Sequence, residues 1–351
     1  RQIETGFPYL PSGCHMQLDA VATREVLENI RNSLPSTWRA KAQELSRVAE
    51  GRSDITLKRF LDESGLALDD IYSNNHSWSD LLESGGIPTL PNGAHEATLR
   101  RALGRLLHVD DPERIEQYKA WSQLSHAPDL ATLPARQRRL LHMLTGVLCE
   151  SVRPQPATLA DAATLLWQHP QVLAELRELA QVLADQIEHV PLPLATHPDV
   201  PLAIHGRYNR REILAAFHGG DGFPLPDWRE GVRWHADHQV DLFAITLDKS
   251  SEHFSPTTRY RDYAISPTLL HWESQSTTRA DSPTGRRYQQ HTADAASRAL
   301  PFARLTTKDA FWFLGPATYV SHEGERPMAV TWRLAQPLPG DLQGKFAAAV
   351  G

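Results

Sequence analysis

Apolar residues recur three and four positions apart up to about residue 190 and alternate with polar ones beyond about residue 230, so helices should precede strands. Residues 1–18 have no helical period and carry Pro8 and Pro11, which predicts an extended linker. Asp19 can cap a helix whose face holds Val21, Val26, Leu27 and Ile30, with Pro35 as its stop. Further helices are expected over 36–49, from Asp54 to a left-handed cap at Gly65, and around 67–72, 77–84, 95–107 and 112–124. The pattern continues over 137–147, 158–168 and 171–189, where Val172, Leu176, Leu179, Leu183 and Ile187 form one stripe. Trp38, Trp78, Trp121 and Trp167 in this half read as core.

Val190–Pro201 holds four prolines in twelve residues, which rules out helix and marks a stiff linker. Asn209 should cap a short helix over 210–217. Alternating runs then follow at 231–235, 241–247, 268–274, 302–305, 311–314, 318–322 and 328–334, interrupted by a helix from Thr284, its expected cap, to about Ala296. The expected fold class is α+β. A linker (1–18) leads to a helical connector domain (19–190), then to a closed or nearly closed β-barrel domain (201–340).

With 351 residues, 41% hydrophobic and 22% charged, the chain is globular and large enough for two or three domains. It begins at Arg1 and has no apolar stretch of membrane-spanning length, so a soluble, cytoplasmic piece of a larger polypeptide is expected, with no membrane partner. Cys14 and Cys149 stand far apart with no ligands at zinc spacing, and read as ordinary thiols. The net charge of −6 is uneven: residues 201–351 hold 17 Lys+Arg against 16 Asp+Glu. Within 256–304 there are seven arginines, four acids and no lysine, which suits planar, bidentate contacts to a polyanion. A solvated mixed-charge surface accounts for the same count equally well.

Six lysines make several exclusions short. The residues two positions before them are Arg39, Thr56, Gln117, Leu247, Thr306 and Gln343, so neither the acid-x-Lys element of metal-dependent restriction nucleases nor the His-x-Lys signature of phospholipase-D-type nucleases is present. Gly344-Lys345 is followed by Phe346, so there is no phosphate-binding P-loop. His235-Ala-Asp-His238 fits no standard zinc pattern, and no Gly-x-Ser-x-Gly elbow exposes a serine. No metal, cofactor or catalytic residue is expected.

The densest collection of recognition groups runs from Asp241 to Thr278 and into the following helix. It offers ring faces at Phe254, Tyr260, Tyr263 and Trp272, an acid at Asp262, and hydroxyl or amide groups at Thr257, Thr258, Ser274 and Gln275. Guanidiniums follow at Arg259, Arg261, Arg286 and Arg287. Stacking on a flipped base is worth ~1–3 kcal/mol, a carboxylate can accept from the 4-amino group of cytosine, and arginines suit phosphates. The same residues would also serve as barrel core around a capped turn.

The blocks Arg207-Tyr-Asn-Arg-Arg-Glu-Ile-Leu214, Ser255-Pro-Thr-Thr-Arg-Tyr-Arg-Asp-Tyr-Ala-Ile-Ser266, His271-Trp-Glu-Ser-Gln-Ser276, Ser282-Pro-Thr-Gly285 and Phe313-Leu-Gly-Pro-Ala-Thr-Tyr-Val-Ser-His-Glu-Gly-Glu-Arg-Pro-Met328 resemble the C-terminal target-recognition domain of SauUSI-type restriction enzymes. Residues 7–29 resemble the segment that leaves the helicase core in the same proteins. The resemblance implies an SRA/PUA-like barrel that flips and reads modified cytosine, 5-methylcytosine or 5-hydroxymethylcytosine, in double-stranded DNA. It also implies phospholipase-D-type nuclease and superfamily 2 helicase domains in the same polypeptide, as part of a type IV, ATP-dependent system. The alternative is a structural module that couples helicase to nuclease and touches DNA weakly.

Overall fold

Hydroxyl and amide side chains start the helices by accepting backbone N–H groups that no preceding turn can satisfy. Thr37 accepts from Ala40 at 3.1 Å to open α1 (Trp38–Ala49), and Thr56 opens α2 (Leu57–Ser64), which Gly65 closes at φ 74. Short helices α3 (Leu68–Ile71) and α4 (Trp78–Ser84) follow, the latter with a reciprocal Ser77–Asp80 capping box. The computed structural model describes residues 34–52, 54–91, 93–187, 191–247, 262–295 and 298–348. The linker over 1–18 and most of the helix expected from Asp19 lie outside the described residues. By compactness the chain divides between Pro91 and Asn92. In the first unit Leu45, Phe60, Ile71, Trp78 and Leu81 are fully buried, so Trp78 is core as expected.

The second unit begins with α5 (Glu96–Leu103), a 3-10 turn over Gly104–Leu106, and α6 (Pro112–Trp121). Next come α7 (Ala135–Leu148), α8 (Leu159–Trp167) and α9 (Pro170–Ala184). Helix α9 buries Val172, Leu176, Leu179 and Leu183 but stops at Ala184, so Ile187 falls beyond the stripe. Residues 140–148 of α7 are buried without interruption, because this helix is enclosed on every side; it packs along α10 (Arg210–Phe217), capped by Asn209.

The strands are β1 (Leu192–Pro193), β2 (Ala203–Ile204), β3 (Arg207–Tyr208), β4 (Val232–His235), β5 (Val240–Thr246), β6 (Tyr263–Ser266), β7 (Leu269–Glu273), β8 (Arg298–Arg304), β9 (Phe311–Phe313), β10 (Ala317–Glu323) and β11 (Ala329–Leu334). β1 and β2 pair alone. The other nine form one sheet that branches at β8. One edge of β8 runs parallel to β5 along all seven residues; its other edge is shared between β10 at Ala299 and β9 at Phe302 and Ala303. From β10 the sheet continues antiparallel through β11 and β7 to β6. The result is a curled, open half-barrel after a mainly helical region, so the α+β class holds and the closed or nearly closed barrel is met only in part. Splitting one edge of β8 between two partners makes a corner and leaves β3, β4 and β6 each with one strand neighbour among the described residues.

Helix α11 (Pro283–Gln289) is shorter than expected and starts one residue earlier. Ser282, not Thr284, accepts the Gly285 N–H at 3.1 Å, and Pro283 occupies the first turn, where its missing N–H costs nothing. A further helix, α12 (Gly340–Ala348), was not anticipated; Leu342 and Phe346 bury it against the sheet core with Trp312, Trp272 and Trp332.

Arg114, fully buried on α6, joins the helices to the sheet. Its Nε donates to Asp111, Nη1 donates to Glu212 Oε1 at 2.8 Å, Nη2 donates to the Arg207 carbonyl at 2.6 Å, and the guanidinium lies 4.1 Å from the Tyr208 ring centroid. The other Glu212 oxygen accepts from Asn209 N–H at 2.8 Å and meets His108 Nε2 at 2.6 Å. Burial works against ionising Glu212, yet His108, Arg114 and these hydrogen bonds together hold its carboxyl below the usual range. Removing one partner of such a cluster strands the others, which costs ~3–5 kcal/mol. Arg114→Met is therefore expected to lower the stability of the second unit by about 3–5 kcal/mol in urea denaturation. Arg279→Met, which breaks a solvent-exposed pair with Asp281, should leave the midpoint unchanged.

Candidate nucleic-acid interface

Strand alternation sorts the candidate residues onto two faces of the sheet. On β7, Leu270 and Trp272 point into the core, whereas His271 faces outward; on β11, Val330 and Trp332 point inward and Thr331 outward. Tyr263 pairs with His271, and their rings stack with centroids 4.6 Å apart and planes 13° apart. Thr331, His271 and Tyr263 thus make an outward row on the open end of the sheet. Trp272 is only 5% exposed and meets Phe243, Tyr288 and Trp332 edge-on or tilted. Tyr263 and Trp272 therefore cannot clamp one base between them, and Trp272 is a core ring here.

Asp262 is buried at the start of β6, where its Oδ1 accepts the Glu273 N–H at 2.9 Å and extends the β6–β7 ladder by a side chain. Ser274 seals the same end: its Oγ accepts from Met328 N–H at 2.9 Å while its own N–H donates to the Met328 carbonyl at 2.9 Å. Gln275, next along, is exposed. Phe254, Thr257, Thr258, Arg259, Tyr260 and Arg261 lie outside the described residues.

The two arginines of α11 separate. Arg286 is exposed. Arg287 instead grips Asp241 with Nε to Oδ2 at 2.7 Å and Nη2 to Oδ1 at 3.0 Å, lying 4.7 Å from the centroid of the half-exposed Trp234. His291 Nε2 meets the same carboxylate at 2.8 Å. Asp241 is fully buried, so two partners satisfy it and Arg287 is spent on the protein rather than kept for phosphate. This cluster was missed from the sequence, although an aspartate inside the apolar run Val240–Leu247 was the available sign: a charge in a buried strand needs a partner.

His197, His235 and His238 surround Phe217, with His235 and His238 ring centroids 5.0 Å apart, and His142 lies 5.0 Å from His218 and 5.6 Å from Phe223 by the same measure. Among the described residues, no group of three or more His, Cys, Asp or Glu side chains is placed to hold a metal ion. Nor is any described helix long and apolar enough to cross a membrane.

Residues 202–346 match the family described as a domain of unknown function, DUF3427, a span that takes in α10, the nine-stranded sheet and most of α12. Domains of this description occur in large multidomain proteins linked to restriction-modification systems. No curated protein matches the chain.

Burial, and then the neighbouring His218, lower the His142 imidazole from its usual 6.5 to about 4. Between those values the unfolded chain binds a proton that the folded chain refuses, so stability is fully present above about pH 6.5 and declines as pH falls towards about 4. His142→Leu should remove about 3 kcal/mol of that loss, seen as a shallower fall of the urea midpoint between pH 6.5 and 4. Identical slopes for variant and wild type would contradict this origin.

Proposed function

We propose that this chain is the target-reading part of a modification-dependent restriction system, and that its sheet domain recognises 5-methylcytosine or 5-hydroxymethylcytosine in double-stranded DNA with the base turned out of the duplex. The observation that carries this reading is the outward Tyr263–His271 stack immediately after Asp262, where the chain returns from residues 248–261. Phe254, Thr257, Thr258, Arg259, Tyr260 and Arg261 immediately precede Asp262 in sequence. The family match over the sheet and the block resemblance support the restriction setting. In this reading Tyr263 supplies the stacking face, Asp262 anchors the segment and reads the amino edge, Gln275 adds an exposed amide, and Arg286 faces phosphate. Helicase and nuclease domains of the same protein would supply ATP-driven movement and cleavage, and this chain performs neither. Burying one methyl group contributes ~0.8 kcal/mol, about fourfold in affinity, so stronger selection requires steric exclusion of the wrong base or gating by the motor.

Titration of the chain with matched duplexes carrying cytosine, 5-methylcytosine or 5-hydroxymethylcytosine tests the reading, with tighter binding expected for a modified duplex. Tyr263→Ala should weaken that binding by about 5- to 150-fold, the equivalent of ~1–3 kcal/mol of stacking. Asp262→Asn keeps an acceptor for Glu273 N–H while removing the charge, and should reduce selectivity with the fold intact. Equal affinity for all three duplexes would turn the interpretation to the coupling module.

A further inference from the structure

In the second unit Arg210 and Arg304 differ from Arg100, Arg114, Arg136, Arg211 and Arg287: no carboxylate among the described residues pairs with either, as is also so for Arg139 and Arg207. Arg210, first residue of α10, donates through Nη1 to the Trp228 and Arg229 carbonyls at 2.9 and 3.1 Å. Arg304, last residue of β8, donates through Nε to Thr246 Oγ1 at 3.0 Å and through Nη1 to the Thr307 and Asp309 carbonyls at 2.8 and 3.4 Å. Both guanidiniums approach the ring of Phe311, at 5.8 and 4.4 Å from its centroid. The nearest acids are turned elsewhere. Asp309 Oδ2 accepts from Thr306 N–H and Oγ1–H at 2.7 and 2.8 Å, and Glu230 Oε2 accepts from Arg229 N–H at 3.3 Å.

Neutral carbonyls satisfy hydrogen-bond geometry without cancelling charge, so two cations share one ring with no anion between them. Burial and the nearby Arg210 charge bring the Arg304 guanidinium down to about 10, with the Asp309 charge only partly offsetting them. The donors are partly vacant: Arg210 Nε is buried with no acceptor, and the Nη2 groups of both arginines have none among the described residues. Carbonyls hold Nη1 of each guanidinium and the Thr246 hydroxyl holds Arg304 Nε, which fixes both side chains before any ligand arrives.

We propose that Arg210 and Arg304 form a site for a phosphoryl group, supplied by the DNA backbone when the sheet domain reads its target. The Nη2 group of each guanidinium is left to donate to a phosphodiester oxygen, and their fixed positive charge is the element that counterion release measures. Arg304 and Thr246 end the parallel strands β8 and β5, and the chain leaves β5 there for residues 248–261. The same connection joins this site to Asp262 and Tyr263, so the assignment of DNA as the source rests on the function proposed above. Arg304 supersedes Arg287 as the sheet's phosphate contact.

The test compares wild type with Arg210→Gln, Arg304→Gln and the double variant, each checked by thermal unfolding, on a duplex with one 5-methylcytosine across a salt series. The slope of log affinity against log salt should become shallower by about 0.9 for each phosphate that is no longer neutralised, with Arg304→Lys closer to wild type. Preference for 5-methylcytosine over cytosine should stay unchanged in the variants, which separates this site from base reading: no preference in wild type with an intact slope change would refute the reading and keep the site. A parallel titration with inorganic phosphate identifies the source. Phosphate that stabilises wild type but not the double variant, with no change in the DNA slope, would assign the site to a free phosphate compound instead. Folded variants that match wild type in both measurements would overturn the proposal. If the glutamine variants do not fold, the Arg210 Nε–H resonance in wild type decides, and its failure to shift with either duplex or phosphate overturns it equally.

Discussion

The buried guanidinium of Arg114 is the contact on which the second unit depends. It lies where α6, α10 and β3 meet, and its bonds to Asp111, Glu212 and the Arg207 carbonyl bring residues about a hundred positions apart into one place. Charges taken out of water this way gain little over an apolar core, yet they tolerate few alternative arrangements, because any slip leaves a carboxylate without its cation. Tyr208 and Arg207 are held by the same cluster, and β3 pairs through them with Phe311 and Trp312 of β9. Phe311 in turn is the ring beneath Arg210 and Arg304. A rigid polar junction thus underlies the paired guanidiniums of Arg210 and Arg304.

Much of the architecture was legible because local chemistry and burial agree. Asn209 caps its helix and Gly65 closes α2 where expected, although Thr56 rather than Asp54 opens α2, and the change of period near residue 230 marks real strands. The misreadings arise where long-range pairing decides. No local pattern shows that β8 divides one edge between β9 and β10, so seven strand-like runs suggested a closed or nearly closed barrel where the sheet curls into an open half-barrel. β6 was hidden because Tyr263–Ser266 is too short and mixed to announce a strand until β7 supplies its partner. In α11 the proline at its first turn moved the cap to Ser282.

At the site, residue type was informative and orientation was not. Tyr263 and Trp272 look interchangeable as aromatics, but register puts one outside and the other among Phe243, Tyr288 and Trp332. Arg286 and Arg287 adjoin in sequence, but only Arg287 is consumed by buried Asp241. A strand-end arginine such as Arg304 is ordinary as sequence; its significance is the missing carboxylate, a property of the assembled surface. The picture that results has a ring-bearing outer face at β6–β7 and a cationic site at the ends of β5 and β8, joined in sequence by residues 248–261.

The central claim is that a modified cytosine leaves the duplex to be read beside Tyr263. The most direct measurement places a fluorescent adenine analogue next to the cytosine in otherwise identical duplexes and follows its emission as the chain is added. Extrusion of the neighbour unstacks the analogue, so a saturable rise is predicted with the modified duplex, none with the unmodified one at equal occupancy, and a reduced rise with Tyr263→Ala. Binding of the modified duplex to saturation with no change in emission would contradict the account.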